Sequence, residues 1–380
     1  MKVAIIVSDV NIFDGVNRVG ADLITMLKSH GHEVAVCSWN QPADETFEEY
    51  KGVEHFYSAS AINNAIKGRL IRSLFLSRSS IKKCLKAFDP DVFIGAGSEP
   101  AVWSSVPNDK IKIQYVHFPT EFFMDVSPSL TRLLYRSLYW HYHYQQLPRI
   151  DAVVCNSSYT KEITYLIWGK LVPEERISVI HPAIDLKRFQ KTPTERKNQV
   201  CYIGRLSKGK GVEQVIEAFM QTYSEYKLKM VMAGGASKNP GLRQYWETKI
   251  RPHLEDLIKN GAPIELKIDP SYQEIVDILL ESKAMLTYSQ HEHFGIVAVE
   301  AQAAGCPPIV ANSGGQTETV QQGENGFRAN SPEELSKYLR MLLDDQQLWK
   351  RMSNNGRQNA KNFSLENIGN QWNDFLHLSA

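Results

Sequence analysis

Short apolar runs alternate with helically spaced stretches along the whole chain. The runs fall at 3–7, 33–37, 91–95, 111–116, 151–155, 177–181, 199–203, 228–233, 263–267, 284–288 and 307–311. Each has the length of one buried strand, and the segments between them carry helical periodicity. This alternation predicts an α/β fold: parallel sheets covered by helices. Ligands of such sheets bind beyond the carboxyl ends of the strands. A second series of strands starts at Gln199, after a polar stretch over 190–198 that reads as a linker. Two domains are therefore expected, 1–182 and 183–364. A last helix follows Ser364, a candidate N-cap, with Ile368, Trp372, Phe375 and Leu376 on one face.

Composition narrows the classes. At 380 residues the chain exceeds one ordinary core. A net charge of +1 gives no global field for nucleic acid. No apolar run is long enough for a membrane span. The N-terminal run is too short for a signal peptide and reads as the first strand. The five cysteines, Cys37, Cys84, Cys155, Cys201 and Cys306, are scattered without metal-ligand spacing. They read as reduced core thiols of a cytoplasmic protein.

The motifs sit at predicted strand ends. Glu292-His293-Phe294-Gly295-Ile296-Val297 follows the run at 284–288, and Glu300 follows Glu292 with seven residues between them, about two turns into the next helix. A carboxylate accepts two hydrogen bonds from a vicinal diol, so two carboxylates suit two sugars. The N-terminal backbone N–H groups of that helix suit phosphate and hydroxyl oxygens. Gly204-Arg205-Leu206-Ser207-Lys208-Gly209-Lys210-Gly211 follows another strand. Its glycines let an anion approach, and Arg205 and Lys210 can hold diphosphate oxygens. His117 ends the strand at 111–116, Gly15 opens the first helix beside Asp14, and Asn156 with Ser157 and Ser158 closes the strand at 151–155. Asp89-Pro90-Asp91 precedes a strand rather than following one, so it reads as a turn and not as a metal site.

These stretches resemble the retaining glycosyltransferases of the GT-B fold, family GT4. Gly204-Arg205-Leu206 with Lys210-Gly211, the two glutamates around Phe294-Gly295, and Ser313-Gly314-Gly315 carry the resemblance. The wording of Tyr115-Val116-His117-Phe118-Pro119, of Glu292 to Val297, and of His181-Pro182-Ala183-Ile184-Asp185 is most similar to mannosyltransferases of lipid-linked oligosaccharide assembly. The resemblance implies two Rossmann-like parallel-sheet domains facing a cleft, an acceptor-binding domain over 1–182 and a nucleotide-sugar-binding domain over 183–364. The final helix, about 365–380, is implied to pack back on the first domain. Arg205 and Lys210 would stabilise the leaving diphosphate and Gly204 would approach it. Glu300 would hold the ribose and Glu292 the hexose. Phe294, Gly295, Ile296 and Val297 would offer backbone donors, and His117 would contact the hexose. Gly15 matches one of two glycines in the loop that closes over the diphosphate; Asp14 stands where the other is usual. The donor implied is a nucleotide diphosphate sugar, GDP-mannose ahead of a UDP-sugar, without cofactor or metal. The acceptor implied is a glycan or a lipid-linked glycan.

One segment bears on that acceptor. His55 through Phe88 has no acidic residue and carries Lys67, Arg69, Arg72, Arg78, Lys82, Lys83 and Lys86 around Leu70, Ile71, Leu74 and Phe75. Residues 131–144 add aromatic side chains. Basic amphipathic helices lie on anionic membrane surfaces. A peripheral contact through residues 64–86, on the inner face of a membrane, is the expectation; an ordinary packed pair of helices is the plainer reading. Two other functions stay open: transfer from a UDP-sugar to a soluble small-molecule or sugar-phosphate acceptor, and non-catalytic binding of a nucleotide sugar.

Overall fold

The computed structural model describes residues 1–12, 15–44, 46–58, 72–97, 99–119, 130–191, 195–235 and 240–379. It divides into two compact units, Met1–Ala183 with Leu365–Ala380, and Ile184–Ser364.

The first unit holds seven parallel strands: β1 (Lys2–Val7), β2 (Glu33–Ser38), β3 (Glu54–Tyr57), β4 (Val92–Gly97), β5 (Ile111–Val116), β6 (Ala152–Cys155) and β7 (Ile177–Val179). Their order is β3-β2-β1-β4-β5-β6-β7. The second unit holds six: β8 (Gln199–Ile203), β9 (Lys229–Gly234), β10 (Ile264–Ile268), β11 (Ala284–Leu286), β12 (Pro308–Ala311) and β13 (Phe327–Ala329), in the order β10-β9-β8-β11-β12-β13. Both sheets are doubly wound. The order reverses between β1 and β4 in one and between β8 and β11 in the other, and crevices for ligands open there.

Period-2 geometry explains the apolar runs. In β1, Val3, Ile5 and Val7 enter one core and Ala4 and Ile6 the core on the opposite face. In β8, Val200 and Tyr202 go one way, Cys201 and Ile203 the other. Helices cover both faces, so every position is apolar. All five cysteines are buried free thiols.

The helix Leu365–Ser379 closes the first unit. It buries Ile368, Trp372 and Leu376, and the Trp372 ring lies 5.8 Å from that of Tyr115. It packs on the helix Gly15–Ser29, where His30 and His32 meet Asn370 and Asn373 at 2.9 and 3.1 Å.

The stretch read as a polar linker is partly interior. Arg196 donates to the carbonyls of Leu279, Ser282 and Ala304 and stacks on Trp349. Those carbonyls end the helices Tyr272–Glu281 and Ile296–Ala303. Arg357 adds a hydrogen bond of 2.9 Å to Ala304. Two guanidiniums thus sit at the negative end of one helix dipole.

Asp89 pairs with Lys110 at 2.7 Å, and Asp91 accepts from the Lys2 backbone at 2.9 Å. Ser157 caps the helix Ser158–Trp168 by accepting from Thr160 N–H at 3.0 Å. The basic stretch is described from Arg72 onward, as a turn of π-helix over Ser73–Ser77 and an α-helix over Arg78–Ala87. Lys67, Arg69, Leu70, Ile71 and Asp14 lie outside the described residues.

Candidate active site

The β8/β11 switch point collects the predicted residues of the second unit. The loop after β8 carries Arg205 and Lys210, and the loop after β11 carries Glu292. Lys210 Nζ lies 2.8 Å from Glu292 Oε2. Two glycine contacts bring the loops together. Gly211 has φ +66°, and a Cβ there would meet the Tyr288 carbonyl at 2.3 Å. Gly314, after β12, has φ +69°, and its Cβ would meet the Glu292 carbonyl at 2.4 Å. Gly315 N–H donates to that carbonyl at 2.7 Å. Only glycine fits such backbone approaches at positive φ.

Burial pushes the Glu292 carboxyl up, but the charge and hydrogen bond of Lys210, helped by His293 and Ser289, outweigh it. The net result is a carboxyl held below the usual glutamate range, which favours its ionised form. Arg205 is exposed, and its guanidinium makes no hydrogen bond or ion pair with the described residues. Its backbone is fixed by the Tyr202 hydroxyl, which donates to the Arg205 carbonyl at 2.9 Å. Gly204 lies at the same strand end.

Gly295 is the left-handed N-cap, φ +84°, of the helix Ile296–Ala303. The N–H groups of Ile296 and Val297 belong to the first turn, which a helix leaves without internal acceptors. Phe294 turns inward, with its ring 5.6 Å from Phe363, so only its backbone can serve a ligand. Glu300 lies about one turn into this helix rather than two, because the helix starts at Ile296. It is buried, and Tyr272 Oη donates to its Oε1 at 2.7 Å.

Two supporting residues escaped the sequence. Tyr272 was detectable: Ser271 and Glu274 form a capping box that starts the helix Tyr272–Glu281 just beyond β10. Gln316 was not. It is fully buried and donates to the Ser289 and Ala311 carbonyls, both at 2.9 Å, tying the loop after β11 to the end of β12.

The site therefore combines two cations at a glycine-rich strand end, a carboxylate paired to one of them, a helix N-terminus and a second carboxylate held by a tyrosine. The family described as Glycosyl transferases group 1 matches residues 183–359, and the family described as Glycosyltransferase Family 4 matches residues 13–188. The chain belongs to glycosyltransferase family 4. It is a hexosyltransferase that uses a nucleotide sugar. The alpha-1,3/1,6-mannosyltransferase alg-2 of Neurospora crassa is 26% identical over 91% of this chain and 84% of its own. A GDP-Man:Man(3)GlcNAc(2)-PP-Dol alpha-1,2-mannosyltransferase of Dictyostelium discoideum is 22% identical over 81% of this chain and 67% of its own. Among solved structures, Anabaena HepE in complex with UDP and glucose superposes over 99% of both chains, with a TM-score of 0.73 and 18% identity. The two Rossmann-like parallel-sheet domains are those of the GT-B fold.

The first unit of this transferase has its own switch point. Ser8 Oγ donates to the Gly97 carbonyl at 2.7 Å, joining the ends of β1 and β4. His117 stands at the end of β5, and its Nε2 donates to the Ala96 carbonyl at 2.9 Å. Its ring meets that of Tyr115 edge-on at 4.9 Å. Asn156 donates to the His117 carbonyl at 2.8 Å. Glu99, buried just after β4, accepts from Tyr139 Oη at 2.6 Å. Gly15 opens the helix Gly15–Ser29 with open space around its Cα. The structure thus groups Gly204, Arg205, Lys210, Glu292, Gly295 and Glu300 at the carboxyl edge of one sheet, and places His117 and Gly15 in the other unit. Among the described residues no cluster of His, Cys, Asp or Glu is placed to hold a metal ion.

Proposed function

We propose that this transferase moves mannose from GDP-mannose to a lipid-linked glycan with retention of configuration. The Lys210–Glu292 pair at the switch point carries the reading. Without ligand the two charges neutralise each other. An arriving diphosphate competes for Lys210, beside Arg205, and this releases Glu292 to accept hydrogen bonds from hexose hydroxyls. The two cations then stabilise the charge that grows on the leaving diphosphate as the glycosidic bond breaks. Phe294, Gly295, Ile296 and Val297 offer backbone N–H groups. Glu300 accepts from the ribose diol, with Tyr272 holding its orientation. His117 is assigned to the hexose and Gly15 to the diphosphate. A front-face displacement fits these roles, in which the leaving phosphate takes the acceptor's proton.

The mannosyltransferases similar to this chain, one of them named for a dolichyl-diphosphate glycan, support mannose and a lipid carrier. The first unit would hold this acceptor. Its basic helix has a fitting face: Phe75 is 63% exposed, and exposed Arg78, Lys82 and Lys86 follow it three, seven and eleven residues on. Such a face suits peripheral contact with an anionic bilayer on its cytoplasmic side, each basic residue contributing roughly 1 kcal/mol. No described helix is long and apolar enough to cross a membrane.

The test is transfer of labelled sugar from GDP-mannose and from UDP-glucose to a lipid diphosphate-linked glycan and to a soluble sugar phosphate. Label from GDP-mannose in the lipid product supports the reading. Transfer only from UDP-glucose to the soluble acceptor overturns it in favour of a small-molecule transferase. Tight nucleotide-sugar binding with no turnover on either acceptor would mark a binding module.

A further inference from the structure

The loop beyond β10 bears on which base the donor carries, a question that rests on the GDP-mannose reading above. Asp269 follows β10 by one residue, with φ +49°. Its N–H donates to the Gly234 carbonyl at the end of β9, at 3.1 Å. Its Oδ1 lies 2.7 Å from where a Cβ on Gly235 would stand, so the carboxylate sits against bare backbone at the carboxyl ends of β9 and β10. It is exposed and makes no hydrogen bond or ion pair with the described residues. Three residues on, Tyr272 holds Glu300. One short loop therefore carries both Asp269 and the tether of the carboxylate assigned to the ribose.

Distance fits a nucleotide laid along this edge. Neighbouring strands are about 4.8 Å apart, so the end of β10 stands roughly 10 Å from that of β8, where Arg205 and Lys210 lie. A nucleoside diphosphate with its phosphates at β8 and its ribose at Glu300 carries its base toward β10. The chemistry at that end is selective. Guanine presents a ring N–H and an exocyclic amino group side by side on one edge, and a carboxylate accepts from both. Uracil presents one N–H between two carbonyls, which a carboxylate repels. Hypoxanthine keeps the ring N–H and lacks the amino group.

We propose that Asp269 determines specificity for guanine by accepting from both donors on that edge. Dissociation constants for GDP, IDP and UDP on the intact chain decide it, with Asp269→Asn and Asp269→Gly, which both tolerate the left-handed backbone. Wild type should prefer GDP over UDP by about 10- to 100-fold, the discrimination typical of a bidentate base contact, with IDP between. Both variants should lose most of that preference while UDP affinity holds or rises. If wild type prefers GDP and both variants keep the same GDP, IDP and UDP pattern, the base is read elsewhere and this assignment fails alone. If wild type prefers UDP, the GDP-mannose reading fails and takes the assignment with it. A melting temperature close to wild type in at least one variant confirms that lost binding is not lost folding.

Discussion

The two sheets wind alike, yet their switch points are furnished differently. At β8/β11 the loops bring a lysine and a glutamate 2.8 Å apart and leave an arginine in solvent. Left-handed glycines press three loops together there. At β1/β4 the described groups bond within their own unit: Ser8 to the Gly97 carbonyl, His117 to the Ala96 carbonyl, Tyr139 to the Glu99 carboxylate. One edge offers charge for a phosphate ester; the other offers hydrogen bonds and aromatic surface. Topology supplies the place for a ligand in both units, and the side chains on the loops decide what is held.

Removing the charge should have the largest effect. Arg205→Ala and Lys210→Ala should each lower turnover by about 10²–10³ while the melting temperature changes little. Near-normal turnover in both variants would erase the contrast between the two edges.

Acid should separate the units next. Burial holds the His55 imidazole down at about 4, against the pull of a backbone hydrogen bond at Tyr50. The unfolded chain, with an ordinary histidine near 6.5, takes up that proton first. Stability from this group is complete above about pH 6.5 and is lost as pH falls toward 4, by at most about 3 kcal/mol. Glu292 has the depressed pKa of a paired carboxylate, so its contribution is lost only below the ordinary glutamate value of 4.5. Hydrogen exchange followed by unit should show Met1–Ala183 loosening before Ile184–Ser364 as pH drops. His55→Phe should weaken that order, and simultaneous loosening in the wild type would show that this histidine does not govern it.

A smaller effect is expected at His117. His117→Ala should cut turnover roughly tenfold, the scale of one hydrogen bond, with GDP affinity unchanged. Loss of GDP affinity instead would place the histidine's role with the nucleotide. The smallest effect should come from EDTA, which should leave the rate as it was. Abolished activity restored by Mg²⁺ would bring back Asp89 and Asp91, which here serve Lys110 and the Lys2 backbone.

The strands were legible because both sheet faces are covered, so β1 and β8 read as unbroken apolar runs. The glycine-rich loops were legible because close backbone approach leaves no alternative residue. The pairing of Lys210 with Glu292 was not, since 82 positions separate them and only the strand order makes them neighbours. The partly interior course of the 190–198 stretch was not legible either: a guanidinium usually marks solvent, but three helix-end carbonyls accept from that of Arg196. At Glu300 the sequence did not reveal the Tyr272 hydroxyl held against the carboxylate, 28 positions away in the chain.

The helix Leu365–Ser379 has a consequence in time. It supplies Ile368, Trp372 and Leu376 to the core of the first unit, but the ribosome makes it only after the whole second unit. Roughly 180 residues separate Ala183 from Leu365, and synthesis at about 5–20 residues per second leaves the nascent first unit waiting on the order of 10–40 s. During that interval Met26 and Tyr115 lack the cover that Trp372 and its neighbours provide, while the second unit, contiguous in the chain, can finish first. A released chain ending at Ser364 should therefore hold a folded second unit and a first unit that still recruits chaperones.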